Sequence, residues 1–138
     1  MRPTIEALAT YLHLARISGQ RQRPHVRDRL LVVAGVVASA RRLPRIAALC
    51  RHLILEHNPH HLIGHWATVE EGLESPDFVH YLRHLMRRFG LERVEQMLSE
   101  AGVELAGERR AYFSDEEYAA ALLGWDLAQV SDHFGDAP

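Results

Sequence analysis

The chain has 138 residues, 47% of them apolar and 25% charged, with a formal net charge of −2. That length is one domain able to bury a core, and that composition excludes a chain disordered over most of its length. Cys50 is the single cysteine, which excludes an intramolecular disulfide. The longest apolar stretch, residues 30–38, is about half of what a membrane span needs.

Helix signals recur along the chain, and strand signals are nearly absent. After Thr4, a candidate N-cap, Ile5, Leu8, Leu12 and Ala15 fall on one helical stripe that Gly19 brings to an end. A polar, basic linker follows over 20–24. Residues 27–41 hold Leu30, Leu31, Val32, Val33, Val36 and Val37. The run is β-branched, but its length and the lack of partner strands predict a deeply buried helix, with Gly35 marking close approach of another backbone. Leu43-Pro44 interrupts it, and Pro44 suits the first turn of a helix over 44–57 that stops at Asn58-Pro59.

The second half is punctuated more clearly. Thr68-Val69-Glu70-Glu71 and Ser114-Asp115-Glu116-Glu117 match the capping-box spacing, in which a hydroxyl and a carboxylate satisfy free amides at a helix start. Ser75-Pro76-Asp77 offers an N-cap, a proline at the first helical position and an acid well placed for the helix dipole. The core stripe of that helix is Phe78, Leu82, Leu85 and Phe89, closed by Gly90. Leu91, Val94, Leu98 and Ala101 form the stripe of the next, closed by Gly102. Residues 131–138 are polar and expected to fray. The expectation is an all-α compact bundle of six or seven helices in a single domain. Residues 1–26 would form a helix and basic linker, 27–61 a helix hairpin and 62–130 the remaining helices.

Gly35, Ala47 and Pro59 stand at the spacing of the helix-A glycine, helix-B alanine and closing proline of a 34-residue helix-turn-helix repeat. On those positions, residues 28–61 resemble one tetratricopeptide unit. Leu31, Ala34 and Ala38 depart from the large residues and leucine that the repeat prefers there. The resemblance implies an antiparallel hairpin and a protein-binding groove on the helix-A side, where Arg29, Val32, Val36 and Ser39 would lie. Covering of Val32 and Val36 by the first helix is the competing expectation.

All sixteen basic residues are arginines, and they are unevenly spread. Residues 1–60 carry ten against three acids, for a charge of +7; residues 61–138 carry six against fifteen, for −9. Such polarity signals either a partner surface or pairing of the two halves within the fold or across a dimer. Arg21, Arg23 and Arg27 with Arg41, Arg42 and Arg45 are the candidate polyanion contacts. No nucleic-acid motif accompanies them, so nucleic acid is the lesser expectation.

Six of the ten histidines lie between 57 and 84: His57, His60, His61, His65, His80 and His84. The pairs His61/His65 and His80/His84 are four apart, the spacing of one helix face, and together could ligate zinc or another transition metal. Gly64 and the turn at 58–60 weigh against this, so no cofactor is the first expectation. There is no phosphate-cradling glycine loop, no nucleophile elbow and no paired-cysteine motif. The reading is non-catalytic: an adaptor or assembly module that binds another protein or a second copy of itself, with Trp125 as a candidate anchor. Its expected address is the cytoplasm, with no membrane partner.

Overall fold

In the computed structural model, which describes residues 2–136, the described residues are all-helical. Eight α-helices follow one another: α1 (Ile5–Gln20), α2 (Pro24–Ala40), α3 (Pro44–His57), α4 (Val69–Gly72), α5 (Pro76–Arg88), α6 (Leu91–Glu100), α7 (Asp115–Leu122) and α8 (Leu127–Phe134). Two 3-10 turns, Leu62–His65 and Glu108–Ala111, lie between them. No helix among the described residues is long and apolar enough to cross a membrane.

α2 is the central element, packed by α1, α3, α4 and α5. Leu30, Leu31, Val32, Val33 and Ala34 are all 0% exposed. A helix enclosed on so many sides needs no polar stripe, which is why this β-branched run is helical despite its strand-like composition. Burying each of these leucine and valine side chains stabilises the fold by about 1.5–3 kcal/mol. The expected hairpin is present: α2 and α3 fold back on each other through a three-residue turn. Gly35 lies against α3, with Cys50 Cβ and Ala47 O 3.5 and 3.8 Å from where its own Cβ would stand. These are ordinary contact distances, so the site would accept a methyl group, and the glycine is not forced by the packing. Cys50 itself is fully buried, and desolvation raises its thiol pKa to about 12.

The two turns that join α1, α2 and α3 have one backbone, repeated twenty residues apart. Arg21 N bonds Ile17 O, Gln22 N bonds Gly19 O and Arg23 N bonds Ser18 O; Arg41, Arg42 and Leu43 repeat this on Val37, Ser39 and Ala38. Gln22 and Arg42 take φ of 60° and 62°, the left-handed region that disfavours side chains. A proline, Pro24 or Pro44, then opens the next helix.

Thr4, Thr68 and Ser114 cap their helices, accepting from Ala7 N, Glu71 N and Glu117 N, but Glu71 and Glu117 do not return the second bond of the expected capping boxes. Ser75 makes no such bond, and the proline at the following position alone pre-shapes the start of α5. The tail expected to fray is a correction. Its first four residues complete α8, which Asp126 and Gln129 open with a reciprocal capping box. Val130 is 0% exposed, and Arg45 of α3 donates to Ser131 Oγ and Gly135 O. Residues 137 and 138, the end of that expected tail, lie outside the described residues.

Candidate functional site

The helix-A side of the hairpin holds no open groove. Arg29, Val36 and Ser39 are half-buried, and Val32 is 0% exposed, which removes it from any contact surface. The cause is the central position of α2, covered on its flanks by neighbouring helices. Trp125 is also folded inward. Its ring meets His52, His133 and Phe134 at centroid distances of 5.9, 5.7 and 6.0 Å, so it anchors α8 to α3 rather than standing free.

The candidate basic patch is divided by internal pairing. Arg45 is 7% exposed and forms a bidentate pair with Glu116, which holds its guanidinium pKa above the ordinary value. Arg41 pairs with Asp115, which Arg109 also holds, at 2.6 Å. Burial alone would push the Asp115 carboxyl up; the hydrogen bonds and charges of both arginines outweigh it, and the pKa lies below its ordinary 3.8. Arg27 reaches Asp28 at 3.4 Å. Arg45 therefore leaves the polyanion set, and Arg41 and Arg27 are partly neutralised. Arg21, Arg23 and Arg42 stay exposed. Two ion pairs between the halves, Arg41–Asp115 and Arg45–Glu116, fasten the start of α7 to the start of α3.

The histidines do not converge on one centre. His57 Nδ1 lies 2.6 Å from Asp28 Oδ2, a carboxylate only 3% exposed in the second turn of α2. His61 Nδ1 accepts from Ile63 N at 3.0 Å, which leaves its proton on Nε2, 3.4 Å from the Tyr81 hydroxyl. Burial lowers the His61 pKa, and the Asp28 charge offsets this only in part. His80 and His84 pair with each other, Nε2 to Nε2 at 3.2 Å, on the exposed face of α5. His65 rests against Trp66 and His60 is exposed. Among the described residues no group of three or more His, Cys, Asp or Glu side chains is placed to hold a metal ion. The zinc alternative has no donor set among the described residues, since His57, His61 and the His80/His84 pair each meet different partners.

Asp28 and Phe113 are the residues that sequence reasoning missed. The first had a signal in its position, an acid two residues before a fully apolar run. The second had none. Phe113 is 92% exposed, the one large hydrophobic side chain in that state among the described residues. Its segment is nonetheless well fixed. Arg109 bonds Tyr112 O at 2.8 Å and Asp115 Oδ1 at 2.6 Å, and the Tyr112 ring packs on Tyr118 at 5.0 Å. Ile5, Ala9, Leu105 and Tyr118 line a cavity of about 440 Å³ together with Arg109 and Arg110. One further tether holds this region to α1: His13 Nε2 meets Glu108 Oε1 at 2.7 Å. Burial pushes the Glu108 carboxyl up, but hydrogen bonds from His13 and Tyr118 bring its pKa below the ordinary value.

The chain matches no family model, no curated protein and no solved structure.

Proposed function

We propose that this chain is a non-catalytic association module whose contact surface centres on Phe113 and the segment that presents it. The observation that carries this reading is the 92% exposure of Phe113 on a segment braced by Arg109. A solvated aromatic ring gains most by entering a partner's pocket, and a braced segment loses little freedom when it does so. Arg110, three residues earlier, is exposed and adds positive charge to the same segment. This surface replaces the hairpin face and Trp125 in the assignment. The tetratricopeptide-like reading of α2 and α3 belongs to the same proposal, supported by the short-turned helix hairpin that they form. A cytoplasmic address belongs to it as well, on the footing of the lone thiol.

Replacing Phe113 with a photo-crosslinking phenylalanine analogue in the producing cell tests the reading. The expected result is a discrete protein adduct whose mass identifies a partner or a second copy. The same analogue at Gln96, on the exposed face of α6, serves as the control. Adducts that do not differ between the two positions overturn the assignment.

A further inference from the structure

A cavity of about 530 Å³ lies between α1, α2, α3 and α7, away from Phe113. That volume is within the range of small-ligand sites. Leu31, Leu53, Leu122 and Leu123 supply apolar wall, and Arg16, Gln20 and Arg27 are the polar side chains of the lining. No carboxylate lines it. The lining thus combines apolar walls with two cations and no acid.

Both guanidinium groups keep donors to spare. Arg16 makes one long side-chain contact, 3.4 Å to His13 Nδ1. Arg27 makes one of 3.4 Å to Asp28, whose other oxygen is already engaged by His57 at 2.6 Å. Five N–H donors on each group leave several free to meet an anion. Gly19 helps to place the second. A Cβ there would lie 3.2 Å from Arg27 Cδ, so the glycine lets the arginine stem lie across the end of α1. Helix C-termini also face the cavity, and their carbonyls repel anions. Capping bonds already engage Ile17, Ser18 and Gly19 at the end of α1, and Ala120 and Ala121 at the end of α7. The charged groups left uncommitted in the lining are therefore the guanidinium donors, with the Gln20 amide beside them.

We propose that this cavity binds a small amphiphilic carboxylate, with the head group on Arg16 and Arg27 and the apolar body against Leu31, Leu53 and Leu123. Charge complementarity selects an anionic head, and the leucine walls select an alkyl or aryl body.

Isothermal titration of the full chain with decanoate, below its micellar concentration, tests the assignment, with decanol as the uncharged isostere. Decanoate is expected to bind one to one, and roughly tenfold tighter than decanol. The double variant Arg16→Gln, Arg27→Gln should abolish that preference while leaving decanol binding in place. Leu123→Trp, which fills the cavity from its wall, should abolish both. Thermal melts of each variant separate loss of the site from loss of the fold. Equal affinity for the acid and the alcohol, decanoate binding that survives both sets of substitutions, or no binding up to about 1 mM overturns the proposal.

Discussion

The turns at 21–23 and 41–43 share their hydrogen bonds, their left-handed residue and their closing proline, yet they differ in what lies over them. The second is overlaid by the acidic starts of α7 and the end of α8, so Arg41 and Arg45 are held by Asp115 and Glu116. The first faces the end of α6, and Arg21 and Arg23 remain exposed. One backbone solution thus serves twice, once as a fastening point and once as open surface. Local sequence decides the turn, and distant sequence decides whether its arginines are neutralised.

The largest way to break this comparison is at Arg45. Arg45→Ala should cost roughly 3 kcal/mol in urea unfolding, because it strands Glu116 in a largely enclosed site and releases α8. Trp125 fluorescence should report the loss of α8 docking. Arg21→Ala and Arg23→Ala should stay within about 0.5 kcal/mol of the parent. Equal effects at Arg45 and Arg21 would end the distinction between a fastened and a free turn.

A smaller effect is expected in acid. Asp115 titrates below its ordinary 3.8 in the folded chain because Arg41 and Arg109 favour its charged form. Its contribution is therefore complete above the unfolded value and is lost as pH falls through the folded one. The stability gap between the parent and Asp115→Asn should be flat from neutral pH to about 5 and close below about 4. A gap that persists at pH 2 would mean that packing, rather than charge, gives Asp115 its role.

The smallest effect sharpens the likeness instead. Gln22→Gly and Arg42→Gly each relieve a left-handed side chain and should stabilise the fold by up to about 1 kcal/mol, by similar amounts. A clear difference in thermal midpoint between the two would show that their surroundings, and not the shared backbone, set the strain.

The sequence carried the all-helical architecture because apolar spacing and capping residues act over a few neighbours. Thr68 and Ser114 announced α4 and α7 through side-chain bonds three residues long. α8 was legible by the same rule, in Asp126-Leu127-Ala128-Gln129, but the polar residues after it suggested a frayed end. What holds that end is Arg45, more than eighty residues earlier, and no local pattern carries such a tie. The same limit applies to the functional residues. Asp28 and His57 meet across 29 positions, and the exposure of Phe113 depends on which helices do not reach it. Val32 looked like part of a face because a helix read alone always offers two, and the fold covers both.

The position of Cys50 beside Gly35 has a consequence for the chain's chemistry. With a pKa near 12 and no accessible surface, the sulfur cannot react with oxidants or alkylating agents while α2 and α3 stay together. Any modification it carries must date from a time when the core around it was not assembled. The thiol is thus a passive ledger of opening events, written by the environment and kept by the fold.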